Sequence, residues 1–332
     1  MLVKAAIGQE VDAEDLGGAA MHAEISGTVD FKEPNDEACL ARMRKLVDML
    51  PPETRKPDHA PADAEKDADA LYGMVDINGR KEYDVREVIA RVADASTFEE
   101  FRAEHGKTIV CGFARIGGYT CGFVANQRKR VESKTDGVQI GGVIYPDSAD
   151  KAARFIMACN QMRVPLVFLQ DVVGFMVGKT AEESGIIRSG AKMVNALSNS
   201  IVPKITVITG GSFGAGNYAM CGKAYDPTFI FAWPNAKYAV MGAEQASGVI
   251  FDITKKALER DGKAFDAEAL NDLRDTIRKT YIHKTDIRFG AARGWVDSII
   301  PPDDTREVLI RALRYAGRER PTRRFHSGVL QT

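Results

Sequence analysis

Ile205-Thr-Val-Ile-Thr209 is a β-branched apolar run, and Gly210-Gly-Ser-Phe-Gly-Ala-Gly-Asn-Tyr-Ala-Met-Cys-Gly222 follows it directly. The first reads as a buried strand, the second as a glycine-rich turn opening into a helix. Backbone N–H groups at a helix start lack partners inside the helix. Glycine and alanine at that point let a ligand approach them closely. The chemistry open to such a turn is to hold a carbonyl or enolate oxygen as it gains charge. A tight strand-to-helix connection in an α/β core is the ordinary alternative, and the local pattern fits both. Asp171-Val-Val-Gly-Phe-Met-Val-Gly178 repeats the design after the apolar strand Val164–Gln170.

Acid–base groups are scarce around these turns. There is no GxxxxGK[ST] loop, no HExxH and no GxGxxG after a strand. Gly210-Gly-Ser-Phe-Gly214 could be read as a serine-hydrolase elbow, since Ser212 has glycine at minus two and at plus two. None of the five histidines, His22, His59, His105, His283 and His326, stands beside a plausible nucleophile in sequence. Asp171 is the nearest carboxylate, and a turn or cap role is its ordinary reading. Backbone donors with few titratable side chains suit enolate chemistry, in which substrate or cofactor supplies the base. The five cysteines are odd in number and show no CxxC spacing, which argues against a disulfide framework or a zinc site; no metal is expected.

Stepping outward, strands and helices alternate from Asp147. A helix over 149–162, the strand 164–170, a helix over 182–200 and the strand 202–209 make two strand–turn–helix units, so a mostly parallel sheet is expected. In such sheets sites gather at the carboxyl ends of the strands. Upstream, 107–116 and 119–125 flank Gly117-Gly118 as a hairpin, and 83–93 reads as a helix capped by Asp84. Between them and the alternating part lies a basic excursion over 126–137, with Arg128, Lys129 and Arg130. It is either a phosphate-binding loop or, as charge runs usually are, a solvated hairpin. Downstream, short strands flank Trp233-Pro-Asn235. Helices are expected over 243–260, 267–282, 286–293 and 305–315, then a solvated arginine-rich tail over 318–324.

The start is of another kind. Residues 11–16 read as a short capped helix, and 35–50 as an amphipathic one with Ala38, Leu40, Met43, Leu46, Val47 and Leu50 on its apolar side. One helix and loops cannot bury their own core, so this segment is expected to dock elsewhere in the chain or on a partner. Residues 51–70, rich in proline and charge, read as a linker containing a solvated His59. Residues 71–332 form the main domain.

Composition bounds the rest. The 332 residues are 45% hydrophobic and 27% charged with a formal net charge of -1, which points to neither nucleic acid nor an anionic membrane. No apolar run is long enough for a membrane span. The polar start and the cysteine usage fit the cytoplasm; a cleaved mitochondrial presequence would leave no trace.

Taken together, Gly174-Phe-Met-Val-Gly178, Gly190-Ala-Lys-Met193, Val202-Pro-Lys-Ile-Thr206, Gly210 to Tyr218, Met220-Cys-Gly222, Trp233-Pro-Asn-Ala236 and Val240-Met-Gly242 resemble the carboxyltransferase (β) subunit of biotin-dependent acyl-CoA carboxylases. Within that group the methylcrotonyl-CoA carboxylase type is the nearest match. Val3-Lys-Ala-Ala6, Val11 to Glu14 and Leu16-Gly-Gly18 resemble the closing part of that family's N-terminal domain, which would take residues 1–50. The resemblance implies an α/β crotonase-like (ClpP/crotonase) fold of repeated β-β-α superhelix. It also implies biotin on a carrier, coenzyme A as the substrate's handle, a biotin carboxylase/biotin carrier subunit as partner, and a ring of subunits. Ala215 and Gly216 would be the oxyanion-hole donors, with Gly174, Phe175, Gly178, Phe213 and Gly214 lining the biotin side. The implied chemistry is release of CO2 from carboxybiotin, loss of the acyl-CoA α-proton to the biotin oxyanion, and attack of the enolate on CO2; a vinylogous γ carbon is the variant. Most of the family's N-domain has no counterpart here, so the chain is a fragment, a split subunit that needs a complementary N-domain, or a diverged protein. The excursion over 128–140 matches an extension in the related decarboxylating carboxyltransferases, which run the reaction in reverse. A non-catalytic assembly or carrier-docking module is the competing reading.

Overall fold

The structure, a computed structural model, describes residues 2–50, 57, 59–76, 79, 81–260, 267–317 and 325–326. The arginine-rich tail and the first part of the linker fall outside them. The strands in chain order are β1 (Glu99–Phe101), β2 (Ile109–Ile116), β3 (Tyr119–Asn126), β4 (Val131–Ser133), β5 (Gly137–Gln139), β6 (Val143–Ile144), β7 (Leu166–Val172), β8 (Gly174–Phe175), β9 (Lys204–Phe213), β10 (Phe229–Ala232), β11 (Lys237–Ala239) and β12 (Ser298–Ile299). Eight of them make one sheet in the order β1-β2-β3-β7-β9-β10-β12, with β11 also paired to β9. β1, β2 and β3 run antiparallel, and β3, β7, β9, β10 and β12 run parallel. Gly117 and Gly118, at φ 60° and 80°, make the tight turn between β2 and β3, as the Gly-Gly pair predicts.

The sheet is covered on both faces, and residues of period two divide between them. Ile109, Cys111, Phe113, Leu166 and Phe168 face the crossover helices Pro146–Met162 and Ile186–Ser198, where Phe155, Ile156, Met193 and Leu197 complete one core. Val110, Ala114, Val167, Leu169, Ile205 and Val207 face the helices Val85–Val92 and Thr305–Ala316. Each large side chain buried there contributes ~1.5–3 kcal/mol. Trp233 is fully buried in this second core, and its indole N–H donates to Thr305 Oγ1 at 2.8 Å.

Two boundaries differ from expectation. The helix expected over 182–200 is two, Lys179–Glu183 and Ile186–Ser198, because Gly185 takes φ 83° between them. β9 continues past Thr209 to Phe213, because β11 pairs with Gly211, Ser212 and Phe213 and supplies the ladder that β10 no longer does. The N-terminal segment docks on the body, but not by the apolar side expected: Leu40, Met43, Val47 and Leu50 are exposed, and Leu46 and Met49 make the apolar contact. Asn35 caps the helix Asp36–Asp48, whose Arg42 and Lys45 both pair with Glu99 of β1. Phe31 packs edge-on to Phe101, and Met49 enters the first core. Residues 59–70 also lie against the body: Ala64 bridges Asp94, Lys66 pairs with Glu87, and Arg306 donates to Ala62 O. His59 is half-buried with Nε2 3.6 Å from Asp48, so it is not simply solvated. No described helix is long and apolar enough to cross a membrane.

Candidate active site

β7 and β9 are parallel neighbours, so the two glycine turns that follow them come out on the same edge of the sheet. The turn after β9 enters the helix Gly214–Ala219, whose N-cap residue Phe213 makes no side-chain capping bond. The amides of Ala215 and Gly216 therefore have neither a capping side chain nor an acceptor within the helix. Ala215 is exposed and Gly216 buried. A Cβ on Gly216 would lie 2.6 Å from Val172 Cγ2 and 3.2 Å from Gly174 Cα, so only glycine lets this turn touch the first. Gly214 holds φ 53° with its Cβ position 2.9 Å from Val240 O, a double demand for glycine. Phe213 is half-buried beside it.

The first turn is more open. Val173 donates to Gly142 O, and Gly174–Phe175 pairs as β8 with Val143–Ile144. Gly174 and Gly178, at φ 153° and 110°, have nothing within 4 Å of where a Cβ would stand. Their backbones border free space, with Val177 76% exposed between them. Phe175 is half-buried and packs against Gly190, where a Cβ would come 3.0 Å from its ring. The structure thus brings Ala215, Gly216, Gly214, Phe213, Gly174 and Phe175 to one place, while Gly178 stands farther along the first turn as the N-cap of the helix Lys179–Glu183. Open glycine backbone, exposed valines and uncapped amides fit a flat, weakly polar ring system carrying an oxygen, such as the biotin head group.

Several residues supporting this edge carry no local motif. Between Gln170↔Ile208 and Val172↔Ser212 the register shifts, so Asp171 alone faces Thr209, Gly210 and Gly211. Such a bulge leaves ladder groups unpaired. Asp171 Oδ1 accepts from Gly211 N at 2.7 Å, and Asn235 Nδ2 donates to Thr209 O at 3.1 Å. A Cβ on Gly210 would fall on the Asp171 carboxylate. Asp171 is buried, and its Oδ2 accepts from Tyr83 OH at 3.0 Å and lies 3.1 Å from Arg128 Nε. Burial, with the Asp171 charge beside it, pushes the Tyr83 phenol well above its ordinary pKa, so it stays a donor. On the other side Asn217 donates to Ser212 Oγ at 2.7 Å and accepts from Tyr238 OH at 3.3 Å, while Gln170 Nε2 donates to Asn217 O.

Asp171 is thus neither turn nor cap residue. One sign of this is present in the sequence: an apolar buried strand that ends in Gln-Asp must pair its carboxylate. Its cation comes from the basic excursion. Arg128 reaches Asp171, Lys129 pairs with Asp84 and Arg130 with Glu82. All three charges are met by carboxylates, and β4 with β5 forms the hairpin beyond them. The excursion forms a hairpin, but Arg128 is largely covered against Asp171 rather than solvated.

The α/β architecture is crotonase-like, shared with solved carboxyltransferases. The chain belongs to the carboxyl transferase domain family, which matches residues 1–327. It is 43% identical over 333 residues to the probable mitochondrial methylcrotonoyl-CoA carboxylase beta chain of Drosophila melanogaster, covering 95% of this chain and 55% of that one. It is 42% identical to the biotin-dependent 3-methylcrotonyl-coenzyme A carboxylase beta1 subunit of Mycobacterium tuberculosis, over 94% of this chain and 57% of that one. Among solved structures, the transcarboxylase 12S hexamer with methylmalonyl-coenzyme A and methylmalonic acid bound superposes with a TM-score of 0.84. The two are 37% identical over 97% of this chain and 59% of that one. The chain spans a little over half the length of these relatives.

Proposed function

We propose that this chain carries the biotin-facing part of a carboxyltransferase centre and moves a carboxyl group between carboxybiotin and an acyl-CoA. The observation that carries the reading is the meeting of two glycine turns at the ends of β7 and β9, with the uncapped amides of Ala215 and Gly216 between them. When bound, carboxybiotin supplies the carboxyl group and takes up the substrate's α-proton. The chain's part is positional and electrostatic. The Ala215 and Gly216 amides hold an oxygen that gains negative charge, fixed in advance so that no reorganisation is needed during reaction. Gly174, Phe175, Gly178, Phe213 and Gly214 would line the biotin side of the centre.

Under this reading residues 1–50 close an N-terminal carboxyltransferase domain, 51–70 connect, and 71–332 form the C-terminal domain. Transfer needs the rest of such an N-domain as well, and a biotin-carrier subunit delivers the carboxyl group. A multi-subunit ring is the expected assembly, by similarity to the hexameric 12S transcarboxylase. The five free cysteines fit a reducing compartment, cytoplasm or mitochondrial matrix.

The test is carboxyl transfer from carboxylated carrier protein to a panel of acyl- and enoyl-CoAs, with the chain alone and with a companion N-domain chain. Turnover in the mixture supports the proposal, and the panel identifies the acyl group. Carrier binding without turnover in either arm overturns it in favour of a docking module.

A further inference from the structure

The bulge that ends β9 sets where the Phe213–Gly216 turn stands, and its supports are side chains. One residue of β7 faces three of β9, so the Gly211 amide, which points to the β7 side, has no backbone partner in that ladder. Asp171 Oδ1 takes that amide at 2.7 Å. The carboxylate cannot swing away, because Tyr83 OH at 3.0 Å and Arg128 Nε at 3.1 Å hold its other oxygen. Arg128 is fixed in turn: its guanidinium donates to Gly79 O at 2.7 Å, and a Cβ on Gly142 would fall on it. Asn126 Oδ1 also accepts from Asp171 N at 3.2 Å. Gly210 leaves its own Cβ space to the carboxylate.

We infer that Asp171, clamped by Arg128 and Tyr83, is a positioning residue that holds the β9 bulge, and through it the amides of Ala215 and Gly216, in the geometry that receives the developing oxyanion. Asp171 stays remote from the substrate; it acts through Gly211. The inference deepens the proposed function and rests on it for its kinetic consequence. It also gives the basic excursion a task, since Arg128 is the first charged residue of that segment and locks it to the site.

Three variants test it in the assembled system of this chain, companion chain and carrier. Asp171→Ala removes the acceptor of the Gly211 amide. Expected is a fall in kcat of about 10- to 100-fold, the size of a small misplacement of an oxyanion donor, with KM for acyl-CoA and carrier changed less than about threefold. Asp171→Asn keeps an oxygen for Gly211 and is expected to recover most of the lost kcat. Tyr83→Phe removes one clamp at little cost in shape and is expected to fall between wild type and Asp171→Ala. Hydrogen exchange is read in parallel. Peptides covering 208–216 should exchange faster in Asp171→Ala, while those covering 155–169 should not. Unchanged kcat in Asp171→Ala, or a loss shared by kcat, KM and exchange across the whole sheet, overturns the inference. If the wild-type assembly transfers no carboxyl group, the proposed function fails. The local exchange pattern then still decides whether Asp171 holds the turn.

Discussion

At the end of β7 the backbone is held by backbone: Gly174–Phe175 pairs with β6, and Met176 N donates to Ile144 O at 2.9 Å. At the end of β9 the β11 ladder is supplemented by side chains, Asp171 on one side and the Ser212–Asn217–Tyr238 chain on the other. The first turn borders open space at both of its glycines; the second is packed so closely that Gly216 has no room for a methyl group. One strand–turn–helix plan thus yields two surfaces. A turn fixed by a two-residue ladder with free space around it suits a group that must arrive and leave. A turn braced by buried polar groups suits donors that must not move, because a buried hydrogen-bonded network is stiff and costly to disturb.

The largest effect expected from this contrast is at Ala215. Proline is tolerated in the first turn of a helix but has no N–H. Ala215→Pro should therefore lower kcat about 100- to 1,000-fold, with a modest loss of melting temperature. Near-normal transfer in this variant would remove Ala215 from the donor pair. Gly216→Val comes next. Its side chain would strike Val172 and Gly174, costing about 1–3 kcal/mol of stability by overpacking and separating the turns, with about 100-fold lower kcat. Urea denaturation together with the transfer assay checks it. A stable and active Gly216→Val protein would mean that the turns need not touch.

Gly178→Ala probes the open turn. Space is free there, and the cost is the backbone conformation alone, about 1–3 kcal/mol. Stability should fall by that amount with kcat nearly unchanged, and a rise in KM for the carrier is the sign that Gly178 faces it. A kcat loss as large as that at Ala215 would erase the distinction between the two turns. The smallest effect concerns the base of the clamp. Lys129, Gln127 and the helix amide of Arg86, set against the desolvation of partial burial, hold the Asp84 carboxyl down at about 2, against an ordinary 3.8. A depressed carboxylate stabilises the fold fully above its unfolded pKa and less as pH falls through the folded one. Asp84→Asn keeps a good cap and should cost about 1 kcal/mol at neutral pH after solvent screening. The gap to wild type should close between about pH 4 and pH 2. A gap that persists at low pH would assign the loss to packing rather than charge.

Much of this was legible along the chain. Elements of local origin were readable because local pattern specifies them: the Gly117-Gly118 hairpin, the Asp84 cap, and the crossover helix ending at Met162, though it starts at Pro146 rather than at 149. The family likeness was readable for the same reason, since its motifs are contiguous glycine turns. Where a second strand or a single glycine φ decides, the reading stopped short. β9 outruns its apolar run because β11 comes alongside, and Gly185 divides a helix whose periodicity continues across it.

By itself the sequence determined that two strands end in glycine turns, that helices follow, and that few titratable groups stand near them. Periodicity and turn chemistry act over a handful of residues, so they survive without a fold. Only the tertiary structure decided that the turns touch through Gly216 and Gly174, that Asp171 faces three residues of β9, and that its cation is Arg128. Each depends on residues 40 or more positions apart being brought within hydrogen-bonding or van der Waals distance. A buried carboxylate must find its partners wherever the chain delivers them, and strand order, not local pattern, makes that delivery.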